Sequence, residues 1–118
     1  AFADGKLAAL LAEKRIAQLV VVGIATDHCL STSVRWAKDL GVVKRDWDRD
    51  AGAGAGAGEE GGEAAQNEGK IVVVRDATAC FAKGGVGAEM VQSVSLASLE
   101  GEFAELASTA DVVGELFA

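Results

Sequence analysis

The stretch Gln18-Leu19-Val20-Val21-Val22-Gly23-Ile24-Ala25-Thr26-Asp27-His28-Cys29-Leu30 decides how this chain is organised. Leu19 to Ile24 form a short apolar run, rich in β-branched side chains, that stops at turn-type residues. Such a run marks a strand buried on both faces, as in a parallel sheet. Thr26 and Asp27 are good N-cap residues, so a helix is expected to begin near Cys29. Within 28–41, Leu30, Val34, Ala37 and Leu40 share one face, and Gly41 is a natural C-terminal stop.

The same strand-then-helix grammar extends in both directions. Residues 3–15 read as a helix, with Leu7, Leu10, Leu11 and Ala8 at helical spacing and Lys6, Glu13 and Lys14 off that face. Ile71-Val72-Val73-Val74 is the next strand. A helix is expected over about 87–100 with Met90, Val91, Val94 and Ala97 turned inward, then a short strand at 103–107. Ser108 or Thr109 caps a last helix carrying Val112, Val113 and Leu116. The order α-β-α-β-α-β-α predicts an α/β fold, a three-layer open parallel sheet with right-handed crossovers and helices on its faces.

Residues 51–69, AGAGAGAGEEGGEAAQNEG, carry no apolar periodicity. They predict a flexible Gly/Ala/Glu-rich surface insertion, placed at about 44–69, whose length adds closure entropy only slowly. A nucleotide-binding glycine loop does not fit, because glycine alternates with alanine, acidic residues follow, and no Walker-type lysine and hydroxyl pair is present.

Half of the 118 residues are apolar, which is enough for one packed domain, and with no Tyr and few Phe or Trp the core falls to Ala, Val, Leu and Ile. Eleven basic against eighteen acidic residues give a net charge of −7, which argues against nucleic acid and against an anionic membrane surface as partners. No apolar run approaches the roughly 18–20 residues of a membrane-spanning helix. Cys29 and Cys80 are expected to be free thiols in a reducing cytoplasm.

Cys29 is the candidate reactive group. Ligands in open parallel sheets bind beyond the carboxyl ends of the strands. A thiol at the start of a helix has its thiolate favoured, and the local N–H groups can stabilise an oxyanion. The residues alone leave two readings, a nucleophile or a small buried thiol. His28, the one histidine, adjoins Cys29, but neighbouring helical residues do not face each other, so it is placed as a pocket-lining or surface residue rather than a base. Cys29, His28 and Cys80 form no recognised metal-ligand spacing. Cys80 follows the second strand and reads first as a small buried or semi-buried thiol, with a place lining the same cleft as its alternative. Gly84-Gly85-Val86-Gly87 reads as a flexible βα turn, with an anion-binding nest as its alternative.

VVVGIATDHCLSTSVRWAKDLG resembles the nucleophile motif of the isochorismatase-like cysteine hydrolases, which include the nicotinamidases. That motif is an apolar strand, then Gly, Ile or Leu, any residue, Thr, Asp, any residue, Cys, and Val or Leu, followed by an Ala-rich helix and Gly. IVVVRDATACFAKGG and AEMVQSVSLASLEGEFAELASTADVV are similar to the family's later elements, so the likeness is expected over nearly the whole chain outside 43–69. The resemblance implies that Cys29 is the nucleophile and that the backbone N–H groups of Ala25 and Cys29 form the oxyanion hole. It implies an often-cis Ile24–Ala25 peptide, and binding positions at Thr26, Asp27 and His28 that shape the turn and pocket.

The implied activity is hydrolysis of a small amide or related C–N bond through a thioester, without a cofactor or metal in this chain. The family's catalytic Asp and Lys have no counterpart here. The chain is therefore expected to be the C-terminal part of such a domain, weak or inactive alone, cytoplasmic, and partnered by a missing N-terminal half or by further copies of itself. A non-catalytic regulatory subunit and a small-molecule-binding α/β module remain as rivals.

Overall fold

The computed structural model describes residues 1–48 and 67–116. Among the described residues three strands form one parallel sheet in the order β1-β2-β3: β1 (Gln18–Ile24), β2 (Lys70–Ala79) and β3 (Glu105–Ala107). Helix α1 (Lys6–Glu13) precedes β1, α2 (Ser31–Leu40) and α3 (Ala88–Leu99) lie between successive strands, and α4 (Thr109–Leu116) ends the order. The alternation expected from the sequence is present in this small α/β arrangement.

Strand register explains the core. Leu19 pairs with Ile71 and Val21 with Val73, on one face of the sheet. Ile71 and Val73 join Leu30, Val34 and Ala37 from the α2 side and Leu99 from α3 in one buried cluster, against which Leu7, Ala8 and Leu11 of α1 also pack. Val72 and Val74, on the opposite face by strand alternation, are buried outside that cluster. Fully burying one such side chain is worth about 1.5–3 kcal/mol. β1 contrasts with β2, for Val20, Val22 and Ile24 remain exposed.

β2 is longer than the Ile71–Val74 run. Between the pairs Val21↔Val73 and Gly23↔Thr78, β1 advances two residues and β2 advances five, so three extra residues of β2 are accommodated there. The strand then returns, with Thr78 and Ala79 pairing with Gly23 and Ile24. Arg75 and Asp76 are polar and read as a strand end, yet Asp76 is put to use: its Oδ1 accepts from the Thr109 N–H at 2.7 Å and from the Thr109 hydroxyl at 2.9 Å. Ser108 and Asp111 complete the start of α4 reciprocally, Asp111 N–H donating to Ser108 Oγ and Ser108 N–H to Asp111 Oδ2. The Leu116 side chain lies outside the described residues.

Helix α3 turns inward Val91, as expected, but not Met90, Val94 or Ala97. Met90 and Val94 are outward, 60% and 58% exposed, and Ala97 is exposed as well. The inward side carries Val91, Gln92, Ser95, Leu96 and Leu99. Hydrophobicity alone misplaces the face because Gln92 and Ser95 have hydrogen-bond partners on the sheet side.

Residues 49–66 of the expected insertion lie outside the described residues. Its two ends are packed onto the domain. Lys44 bridges Glu68 in antiparallel fashion. Asn67, 2% exposed, exchanges bonds with Asp46, accepting from its N–H at 2.9 Å and donating to its carbonyl at 3.0 Å. Trp47 donates its indole N–H to the Ile16 carbonyl at 2.9 Å. Gly69 sits so close to the chain that a Cβ there would lie 2.4 Å from the Ala17 carbonyl oxygen. These end residues satisfy backbone groups that a linker would leave to water.

Candidate functional site at the end of strand β1

The chain leaves β1 through the Ile24–Ala25 peptide, which is cis as the resemblance implies. A π-helical turn over Thr26–Leu30 follows, and α2 starts only at Ser31. The Ala25 carbonyl accepts from both His28 N–H and Leu30 N–H, at 3.0 and 3.3 Å. His28 lies off the helical conformation at φ −119°, ψ −114°, so the turn is wide rather than regular. Cys29 thus precedes the helix instead of sitting in its first turn.

Neither Thr26 nor Asp27 caps that helix. Thr26 is fully buried, and its hydroxyl donates to Gln92 Oε1 at 2.7 Å, with the Ala79 carbonyl at 3.4 Å. A buried hydroxyl needs a partner, and α3 and the end of β2 supply it. The Asp27 carboxylate pairs with the Lys83 ammonium. That bond, above all, holds the Asp27 carboxyl below the usual carboxylate range against the opposing effect of burial. Asp27 Oδ1 is buried without a hydrogen-bond partner.

The His28 ring, 68% exposed, turns to Lys83, with Nε2 at 3.0 Å from Nζ, and lies 3.7 Å from Asp27 Oδ2. Cys29 is exposed, and its thiol donates to the Ile24 carbonyl oxygen at 3.2 Å. It lies against the peptide unit that carries the Ala25 N–H. Thr26, Asp27, His28 and Cys29 are therefore brought into one turn at the carboxyl end of β1, but the first three make their side-chain bonds with α3, β2 and Lys83 rather than with the thiol.

Two residues of this site were not singled out from the sequence. Lys83 opens a tight hairpin in which Lys83 and Val86 exchange N–H to carbonyl bonds at 3.0 and 2.9 Å across Gly84 and Gly85, both with positive φ. Adjacent glycines are the signal for such a turn, and they aim the flanking side chain. With the Val86 N–H spent on the Lys83 carbonyl, the anion-nest reading of 84–87 loses one of its donors. Gln92 was hidden among the apolar residues of α3; a lone amide in that setting is the signal for a buried bond.

Both cysteines are free thiols. Among the described residues no group of three or more His, Cys, Asp and Glu could hold a metal ion, and no helix is long and apolar enough to cross a membrane. A separate cleft of about 280 Å³, bordered by Lys38, Gly41, Lys70, Phe103 and Glu105, opens at the amino ends of β2 and β3, away from Cys29.

A sequence model of the isochorismatase domain matches residues 1–54. The match takes in α1, β1, the π turn and α2, and so contains Cys29 and all four other residues expected at the site. It supports an isochorismatase-like, hydrolase-type reading of that part of the chain, and it does not extend to the later stretch expected to share the likeness. No curated protein and no solved structure matches the chain.

Proposed function

We propose that this chain carries the nucleophile segment of an isochorismatase-like cysteine hydrolase, related to the nicotinamidases, acting on a small amide or related C–N bond. The observation that carries the reading is the exposed Cys29 thiol at the carboxyl end of a parallel strand, in a turn fixed from behind by the buried Thr26. The sheet is read as one part of a three-layer open sheet, and the protein as a cytoplasmic oligomer or the partner of a second segment.

The chemistry follows from the thiol. A base takes its proton, the thiolate attacks the amide carbon, and the N–H groups of Ala25 and Cys29 receive the oxyanion. The amine leaves with a proton, and water cleaves the thioester and restores the thiol. Asp27 and His28 are engaged by Lys83, and the thiol's hydrogen bond goes to a backbone carbonyl. Neither is therefore read as the base, which the resemblance implies is an Asp with no counterpart in this chain.

The test compares iodoacetamide alkylation of Cys29 in the folded chain with the same cysteine in the urea-unfolded chain, near neutral pH, by peptide mass spectrometry. An activated nucleophile reacts faster folded than unfolded. An accessible but ordinary thiol reacts no faster when folded, and that result would count against the assignment.

A further inference from the structure

We infer that Gln92 is a positioning residue for Cys29, acting through Thr26; the inference rests on the nucleophile reading above. Its carboxamide makes three side-chain bonds at once. Nε2 donates to the Thr78 carbonyl at 3.2 Å and to Thr78 Oγ1 at 2.9 Å, and Oε1 accepts from the Thr26 hydroxyl at 2.7 Å. The orientation of the amide follows from chemistry. The Thr78 carbonyl can only accept, so the amide nitrogen must face it, and the oxygen is left for Thr26. The Thr26 proton is thereby committed to Gln92, and the Ala79 carbonyl at 3.4 Å is at most a weak second acceptor.

This clamp sits where the sheet needs one. β1 and β2 lose register after Val21↔Val73 and regain it at Gly23↔Thr78 and Ile24↔Ala79. The two regained pairs are the last before the Cys29 turn. Gln92 ties the returning part of β2, through Thr78, to the first residue of that turn, through Thr26. Ala25 and Cys29, whose N–H groups are assigned to the oxyanion, lie one residue before and three residues after the clamped threonine. Thr26 is fully buried and makes no contact with solvent, so it can influence a reaction only by fixing where the turn lies, and half-buried Gln92 reaches the turn through it.

The test uses the full chain and reads the ratio of folded to unfolded alkylation rates at Cys29, with thermal unfolding followed in parallel. Gln92→Leu and Thr26→Val are each expected to lower that ratio by about threefold to tenfold, bringing it toward one, because the folded-state gain is the thiolate favoured by the placed turn. Gln92→Glu keeps the shape but cannot donate to the Thr78 carbonyl when ionised, and is expected to behave like Gln92→Leu at neutral pH. Thr26→Ser keeps the hydroxyl and should retain the wild-type ratio. The double variant Thr26→Val/Gln92→Leu should fall within about twofold of the slower single variant, because the two losses are one loss. Variants that melt lower but keep the wild-type ratio would assign Gln92 to stability alone and overturn the inference while leaving the nucleophile reading standing. A wild-type chain with no folded-state enhancement would overturn both.

Discussion

Lys83 Nζ lies 3.0 Å from His28 Nε2 and pairs with the Asp27 carboxylate, so one ammonium joins two consecutive residues of the Cys29 turn to a hairpin 55 residues further on. Its consequences are electrostatic and can be separated from packing by pH.

Replacing Lys83 with Met keeps much of the stem and removes the charge. The Lys83 bond is the first cause of the lowered Asp27 carboxyl. A carboxylate lowered in the folded state contributes stability that is present above its unfolded value, near 3.8, and is lost as pH falls through the lower folded value. Lys83→Met is therefore expected to melt below wild type at pH 7, with the gap closing as the pH is taken down toward and below the ordinary carboxylate range. Melting curves at several pH values check this; a gap that does not change with pH would mean that Lys83 contributes by packing.

Asp76 makes an independent pH-dependent contribution. The Thr109 backbone N–H, and then its hydroxyl, hold the Asp76 carboxyl below its usual value. The sign is the same: the stabilisation exists above the unfolded carboxyl range and disappears in acid. Asp76→Asn should lower the melting temperature at neutral pH and flatten its decline between about pH 5 and pH 3. Since Asp76 reaches the start of α4, hydrogen exchange in Asp76→Asn should quicken at the first turn of that helix more than in α2.

Much of this was legible in the sequence, for identifiable reasons. Val20 to Ile24 and Ile71 to Val74 announce strands because runs of β-branched side chains have no other stable use in a small α/β chain. The same logic fails for β2 beyond Val74, where Asp76 is polar because it serves α4 rather than the core. It fails again for α3, whose face is decided by Gln92 and Ser95. Cys29, Ala25, Thr26, Asp27 and His28 could be grouped because they are adjacent in the chain. Lys83 and Gln92 could not, since each reaches the site through a tertiary contact more than fifty residues away from the turn it serves.

Gly69 offers a sharp test of the packed base of the 44–69 segment. A Cβ there would stand 2.4 Å from the Ala17 carbonyl oxygen and 2.8 Å from the Val43 carbonyl carbon, both backbone atoms that cannot swing away. Gly69→Ala is expected to cost about 1–3 kcal/mol or more, as overpacking does. Gly114 in α4 is the control, because a Cβ there meets nothing within 4 Å. Gly114→Ala should stabilise by about 0.5–1 kcal/mol through helix propensity. Urea unfolding of both variants decides the matter; equal effects would mean that the chain at 69 is free to move aside.

The last expectation concerns the sheet edge. Among the described residues β1 has β2 on one side and no strand on the other, and Val22 and Ile24 are 58% and 60% exposed. An edge of this kind presents unpaired backbone groups beside apolar side chains and invites pairing with another strand. Gln18–Ile24 contains no charged residue, so a second copy meets no local repulsion, even though the chain as a whole carries −7. Self-association is therefore expected, and because it is driven by apolar contact it should persist when salt is raised to screen the net charge. Val20→Lys and Val22→Lys place charges on that edge, the device by which natural sheets keep edges apart, and each should shift the chain toward monomer without unfolding it, since both positions are exposed in the single chain. Sedimentation equilibrium over a range of protein concentrations, with circular dichroism to confirm the fold, provides the measurement. A wild-type chain that stays monomeric at every concentration, or lysine variants that associate as strongly as wild type, would show that β1 is not the contact.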